Sequence, residues 1–344
     1  MENNINLKPF NVRTDLVVES IDASHKPIKT QEKTNKNIKI STTDITKEEG
    51  KVIEKKEGRY ITITFKDITN YEDREEIGKA LEKEIKSLLK YKNIKDDDEG
   101  LILGLGNSKS TPDALGPKVV SRLVITRHLF KLNALPKEGI RSISAISPGV
   151  MGETGIETAD YIEALTNLIN PQFIIVIDAL AASSLERVNH TIQLTDTGIR
   201  PGSGVYNNRK EISTDTLKIP VIAIGVPTVV ESSVIVNESI NYLLKHISYI
   251  KNNTEINKLS PLHFDNYIDK IRNLELSRSD KEKLMGLVGT LGEIEKRNLI
   301  KEVMSAVNYD LIVCPKEVDF LIDKISDVIS SSLNNALHRQ ITHY

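Results

Sequence analysis

The chain has 344 residues, 39% of them hydrophobic and 27% charged, which is typical of a globular protein with two domains or one large domain with an appendage. Its net charge of -2 gives no general field for binding nucleic acid or an anionic membrane, and no apolar run approaches the roughly 20 residues of a membrane span. Cys314 is the single cysteine, so an internal disulfide is excluded, and the first residues do not have the pattern of a signal peptide. We therefore expect a cytoplasmic protein.

The first part of the chain begins with a polar segment and continues with segments in which apolar residues recur at regular spacing. Residues 25–58 are rich in Lys, Thr, Glu and Asn and contain no aromatic side chain, which predicts an exposed or disordered insertion. Residues 59–66 largely alternate between apolar and polar side chains and predict a strand. A capping-box pattern at 69–72 then predicts a helix that ends near Tyr91.

From residue 100 onward, apolar strands alternate with amphipathic helices. Strands are predicted at 100–106, 140–146, 173–178, 188–194 and 219–225, and helices at 113–131, 157–169 and 231–247. This alternation indicates an α/β fold with a mostly parallel sheet covered by helices on both faces. The pattern after residue 250 is mainly helical, with a capping box at 279–282, a segment to about 307 and a last helix at 316–338. We expect 251–344 to be a helical C-terminal region.

Polar residues follow the apolar strands at the positions where α/β proteins bind ligands. Asn107 and Asp113 lie in the loop after the first of these strands, Asp178 follows five apolar residues, and Glu153 lies in the glycine-rich segment 148–155. A carboxylate at the end of a buried strand is unfavourable unless it is paired or functional. Local capping is the alternative for Asp113 and Asp178, and a solvated loop carboxylate is the alternative for Glu153.

Other motifs give weaker indications. Asp196-Thr197-Gly198 matches the triplet of pepsin-like proteases, but it occurs once and in an α/β context, so we interpret Asp196 as a loop residue. Arg200 and Arg209 follow it and are candidates for contact with substrate or with a neighbouring carboxylate, with solvated surface charge as the alternative. The glycines near 104–106 do not have the spacing of a nucleotide-binding loop, and the histidines are scattered, so we expect no cofactor and no metal site.

At these residues the sequence resembles the spore germination protease family. The similar segments are 11–19, 103–117, 148–157, 177–182 and 196–209. The resemblance implies a fold similar to that of hydrogenase maturation proteases and an atypical aspartic endopeptidase that degrades small acid-soluble spore proteins in the forespore or spore core. It also implies a homotetramer, a catalytic pair at Asp113 and Asp178, and a zymogen that cuts its own Asp15–Leu16 bond. Residues 1–15 are then a propeptide, and 16–250 form the α/β catalytic domain.

Chemistry at the two aspartates is consistent with that implication. Two neighbouring carboxylates do not ionise together easily, so one can act as a base on water while the other supplies a proton. One alternative is a nickel-type metallopeptidase with Asp113 and Asp178 as oxygen ligands, although a histidine ligand has no obvious candidate. The other alternative is a non-catalytic module that only binds spore proteins. No direct contact with nucleic acid or membrane is expected.

Overall fold

The computed structural model describes residues 14–134, 139–202, 210–252, 271, 274–309 and 311–338. The described residues form two compact units. The larger unit contains those of 14–230 and 314–338, and the smaller unit contains those of 231–313. The candidate site lies in the larger unit.

The larger unit is built on one mixed sheet. Its strands are β1 (Thr30–Asn35), β2 (Ile38–Ile45), β3 (Gly58–Phe65), β4 (Gly100–Gly104), β5 (Ile143–Ile146), β6 (Phe173–Ala182), β7 (Thr191–Thr195) and β8 (Val221–Glu231). They are arranged in the order β1-β2-β3-β7-β8-β6-β4-β5. The strands β8, β6, β4 and β5 pair in parallel, whereas β1, β2, β3 and β7 pair antiparallel and β7 joins β8 antiparallel.

Helices cover both faces of this sheet. They are α1 (Val17–Ser24), α2 (Lys47–Ile53), α3 (Tyr71–Tyr91), α4 (Leu115–Val120), α5 (Arg127–Lys131), α6 (Met151–Thr154), α7 (Thr158–Ile169) and α8 (Thr214–Leu217). The smaller unit contains α9 (Ser232–Asn252), α10 (Arg278–Met285), α11 (Glu293–Ala306) and the short strand β9 (Ile312–Val313), and α12 (Val318–Leu337) belongs to the larger unit. One face carries α3, α4 and α12, and the other carries α7, α1 and α2. The predicted α/β class with helices on both faces and a helical C-terminal region is confirmed.

The antiparallel half of the sheet differs from the expectation. Residues 25–58 form β1, β2 and α2 and are not a disordered segment, although β1 is largely exposed. The reason is a partner elsewhere in the chain, because β2 pairs along its whole length with β3, and Ile38 and Ile45 become buried. The sheet is consequently mixed, since β7 continues this antiparallel half instead of the parallel one.

Several predicted elements have different bounds in the structure, and two of them carry the candidate aspartates. The single helix expected at 113–131 is divided into a 3-10 turn at Thr111–Asp113, α4 and α5. It is interrupted where Thr126 bonds outside the helix, with its N–H donating to Ile143 O and its hydroxyl to Arg141 O. The strand expected to end at Asp178 continues to Ala182, because β8 pairs with it as far as Val230.

Candidate active site

Asp178 lies within β6 at the point where its neighbour β4 stops. The last residue of β4, Gly104, is opposite Ile177, so Asp178 is the first residue of β6 beyond the end of β4. On the other side it is opposite Gly225 of β8. Asp178 is only 5% exposed, and its Oδ1 accepts a hydrogen bond of 2.9 Å from the N–H of Ala179. Asp178 is therefore a buried residue within strand β6 and does not belong to a loop after the strand.

Asp113 is held against the chain that leaves β4. Its Oδ2 accepts a 2.8 Å hydrogen bond from the N–H of Asn107, and its own N–H donates to Ser110 O at 2.8 Å. Gly106 has a φ of +109°, and a Cβ there would lie 2.0 Å from Asp113 O. Only glycine allows this close approach.

A short run of chain connects the two aspartates. The N–H of Leu105 donates to Ile177 O at 2.8 Å, directly beside Asp178, and two residues later Asn107 donates to the Asp113 carboxylate. The segment 105–107 thus bonds to the main chain directly before Asp178 and to the carboxylate of Asp113, at the carboxyl end of adjacent parallel strands.

Asn107 and Glu153 belong to the same edge of the sheet. Asn107 Oδ1 accepts from the N–H of Lys109 at 2.8 Å, which shapes the loop between β4 and Asp113. Lys109 Nζ lies 3.2 Å from Glu153 Oε1 in α6. This ion pair joins α6 to the loop that carries Asp113, and the role expected for Glu153 stays a prediction.

The two arginines are placed differently. Arg200 is exposed, and its Nη2 lies 3.6 Å from Glu211 Oε2. Glu211 also pairs with Lys56 at 2.5 Å, so Arg200 belongs to a surface group of charges. Arg209 lies outside the described residues.

Asp15 and Leu16, the residues of the predicted processing bond, are held by β6 and β7. The N–H of Asp15 donates to Ala181 O at 3.1 Å, and the N–H of Ala181 donates to Asp15 Oδ2 at 2.9 Å. Leu16 is 0% exposed and has an extended backbone with φ -80° and ψ 128°. The carboxyl side of this bond is therefore covered, whereas Asp15 is half-buried.

Further contacts secure the residues on both sides of this bond. Thr14 O accepts from Lys55 Nζ at 2.8 Å, and burial lowers the pKa of Lys55 against the opposing effect of the Asp15, Glu19 and Glu54 carboxylates. Glu19 Oε2 accepts from the N–H and the hydroxyl of Ser183 at 2.7 and 2.9 Å, and also from the hydroxyl of Thr14. These contacts join α1 to the end of β6.

Gln193 of β7 is a residue that the sequence reasoning did not select. Its Nε2 donates to Asp15 O at 3.2 Å, and its Oε1 accepts from the N–H of Val17 at 2.7 Å. The available indication was a polar side chain between the apolar Ile192 and Leu194 in a predicted strand. Its partner, however, is the distant N-terminal segment, which the local pattern does not reveal.

Asp196 lies at a different level of the sheet. The Cα of Asp178 is level with Gly225 and Gln193, whereas β7 runs antiparallel and Asp196 follows Thr195, which is level with Ala223. Asp196 is therefore displaced by roughly 10 Å along the strands from the level of Asp178. Its carboxylate accepts from the N–H of Arg59 and pairs with Lys92.

The described residues show neither a cluster typical of a metal site nor a helix typical of a membrane span. No group of three or more His, Cys, Asp or Glu side chains suited to hold a metal ion is found among those residues. Within the same residues no helix has the length and apolar character needed to cross a membrane.

Comparison with known proteins identifies the family. A family model described as germination protease matches residues 7–344. The chain belongs to the germination protease family. The germination protease of Priestia megaterium is 43% identical over 362 residues, covering 99% of this chain and 97% of the relative. That of Bacillus subtilis is 44% identical over 354 residues, covering 98% and 96%.

Membership of the germination protease family makes the chain a peptidase of spore germination. Among solved structures, a NiFe-hydrogenase maturation protease from Thermococcus kodakarensis is similar over 38% of this chain and 74% of that chain. The identity is 18% and the TM-score is 0.25, so this likeness carries no argument about the site.

Proposed function

We propose that this germination protease is an aspartic endopeptidase that uses Asp113 and Asp178 to activate water. Small acid-soluble spore proteins are its substrates, and it begins their degradation during germination in the cytoplasm of the forespore or spore core. It is made as a zymogen that removes residues 1–15 and works as a homotetramer. The observation that supports the proposal is that the segment 105–107 bonds both to the Asp113 carboxylate and to Ile177, the residue before Asp178, on the strand that also holds Asp15.

The chemistry requires the two carboxylates to share their protons. One ionised carboxylate takes a proton from a water molecule, and the water oxygen attacks the carbonyl carbon of the scissile peptide. The C–N bond then breaks, and the protonated carboxyl gives its proton to the departing nitrogen. Because a close pair titrates as a unit, the roles of base and acid belong to the pair and not to either residue alone.

Recognition of an acidic residue before the cut is supported by contacts of Asp15. Its Oδ2 accepts the N–H of Ala181, a backbone donor three residues beyond Asp178 on the same strand. Lys55, which lies nearby, adds an attractive charge. A carboxylate is favoured over a neutral side chain at this position because both groups are electropositive.

The burial of Leu16, which follows the predicted processing bond, supports a zymogen. Leu16 is fully buried, and α1 is joined to β6 through Glu19 and Ser183. A substrate strand in trans would have to take the place of residues 14–17, since they occupy Ala181 and Gln193. Removal of the first residues frees part of these contacts, and this is how processing would activate the enzyme.

The proposal is tested by incubating the purified chain with a small acid-soluble spore protein and measuring the product masses. We expect cleavage after an acidic residue, the same rate in the presence of EDTA, and no cleavage with Asp178→Asn. Activity that EDTA removes and a divalent metal restores would instead favour the nickel-type peptidase, and binding without any cleavage would favour the non-catalytic module.

A further inference from the structure

Gln193 contacts the main chain on both sides of Leu16. Its amide donates to the carbonyl of Asp15, which is the carbonyl of the predicted processing bond, and accepts from the N–H of Val17. A residue in a parallel β ladder bonds in the same way to the residues before and after its partner. The Gln193 side chain therefore acts as one unit of a parallel strand paired with Leu16, whose backbone is extended.

The amide projects to the same face of the sheet as Asp178. Gly225 is the partner of Gln193 on one side and of Asp178 on the other, and residues that are level in neighbouring strands point to one face. Since Gln193 binds the Asp15 carbonyl, that carbonyl lies on the face toward which the Asp178 carboxylate projects. Gly225 has no side chain, and the side chain of Leu180 packs against it: a Cβ at position 225 would lie 2.3 Å from Leu180 Cδ1.

The environment makes this contact electrostatically effective. Gln193 is 6% exposed and Leu16 is fully buried, so the hydrogen bond to the Asp15 carbonyl is shielded from water. When water attacks that carbonyl, negative charge develops on the oxygen, and a fixed N–H donor in a dry site stabilises it.

We propose that Gln193 is a catalytic residue of the processing reaction: its Nε2–H₂ polarises the Asp15 carbonyl and stabilises the oxyanion, while its Oε1 fixes the peptide through the N–H of Val17. This inference rests on the proposed function, because it needs cleavage at Asp15–Leu16. The Gln193 amide contacts only backbone atoms of the peptide. It can therefore bind any extended peptide, whatever side chain follows the cleaved bond.

Gln193→Glu tests the proposal because it keeps the acceptor and the shape but has no donor when ionised. Removal of one oxyanion donor lowers a rate by about 100-fold or more, and we expect that loss in the conversion of the full chain to the form beginning at Leu16, followed by intact mass. As pH falls and the new carboxyl gains a proton, it can donate again, so the deficit relative to the unmodified chain should shrink. A purely structural role would not produce this pH dependence.

Two further variants keep the result interpretable. Gln193→Met has a similar shape, carries no charge and has no strong donor, so it should be equally slow at every pH. Gln172→Glu makes the same chemical change at the exposed residue before β6, where the Gln172 side-chain oxygen accepts from the backbone N–H of Glu99, and it should process at the unmodified rate. Urea midpoints would show that each variant is folded.

The outcomes separate the two claims. The inference is supported if Gln193→Glu and Gln193→Met both process slowly near neutral pH and only Gln193→Glu approaches the unmodified rate in acid. Processing of both Gln193 variants at the unmodified rate, or faster, overturns it and leaves the aspartate pair intact. If the unmodified chain is not cut after Asp15, or Asp178→Asn is cut as fast, the proposed function fails first and the inference fails with it.

Discussion

Asp196 is buried, and its two carboxylate oxygens have different partners. Oδ1 accepts from the N–H of Arg59 at 2.8 Å, and Oδ2 lies 3.2 Å from Lys92 Nζ. A Cβ at Gly58 would lie 2.7 Å from the same carboxylate, so the strand β3 begins in close contact with it. These partners account for an aspartate in the Asp-Thr-Gly triplet without a catalytic role.

Substitution of Asp196 should therefore affect stability and not processing. Asp196→Asn keeps an acceptor for Arg59 but removes the charge that faces Lys92, and we expect a loss of about 1–2 kcal/mol in the free energy of unfolding. Asp44→Asn is the control, because Asp44 pairs with Arg59 at an exposed position and should change stability by less than about 0.5 kcal/mol. Urea unfolding measures both, and a stable Asp196→Asn chain that no longer processes would contradict this interpretation.

The sequence placed the polar residues near the correct strands, and it could not supply their partners. Asp113 and Asn107 are close along the chain and share a local hydrogen bond, so the sequence pattern of the loop was enough to select both. Gln193 and Lys55 act on residues 14–17, which are far away in sequence, and only the folded chain reveals these contacts. Arg200 was selected by proximity to the triplet, and its partner Glu211 comes from a different segment.

At the scale of elements, the position of Asp113 depends on the contact between β4 and α4. A Cβ at Gly116 would lie 2.3 Å from Leu105 O and 2.5 Å from Leu105 N, and a Cβ at Gly104 would lie 2.3 Å from Gly116 O. Backbone packs directly on backbone here, so neither position has room for a side chain. The helix that follows Asp113 is thereby fixed on the strand that precedes it.

Gly116→Ala should consequently disturb both stability and processing. The methyl group meets main-chain atoms that cannot rotate away, and overpacking of this kind lowers the free energy of unfolding by about 3 kcal/mol. Displacement of α4 also moves Asp113, so conversion to the form beginning at Leu16 should slow. Gly152→Ala, also in a helix but with no atom within 4 Å of the added carbon, is the matched control. Equal urea midpoints for the two variants would refute the contact.

Periodic helices were the elements that the sequence predicted best. The observed bounds of α3, α7 and α12 are Tyr71–Tyr91, Thr158–Ile169 and Val318–Leu337, close to the predicted ones, because each has a continuous apolar face. Elements that depend on a distant partner were predicted poorly. Residues 25–58 find that partner in β3, and β6 finds it in the last residues of β8.

At the scale of the whole molecule, His338 joins three parts of the larger unit. It ends α12, its Nδ1 accepts from the N–H of Arg141, and its Nε2 lies 3.3 Å from Val124 O. Burial, opposed by the Val124 carbonyl and assisted by the nearby Arg141 charge, lowers the pKa of His338 below its ordinary 6.5. The folded chain therefore holds this histidine neutral.

The pH dependence of stability follows from that shift. Above pH 6.5 the ring is mostly neutral in both the folded and the unfolded chain. Below pH 6.5 the unfolded chain binds a proton more readily than the folded chain, so the free energy of unfolding decreases as the pH is lowered, by at most about 1.4 kcal/mol per pH unit. His338→Gln keeps a donor and an acceptor but does not titrate. We expect urea midpoints at pH 7.5 and 5.5 to differ less for His338→Gln than for the unmodified chain, and an equal difference would contradict the buried neutral ring.

In the proposed mechanism Asp113 and Asp178, and not Asp196, cut the Asp15–Leu16 bond. The most direct measurement is the intact mass of the full chain after incubation, for the unmodified protein and for Asp113→Asn, Asp178→Asn and Asp196→Asn. We expect the unmodified chain and Asp196→Asn to lose residues 1–15, and folded Asp113→Asn and Asp178→Asn to keep them. Processing of Asp178→Asn at the unmodified rate, or a block caused by Asp196→Asn alone, would contradict it.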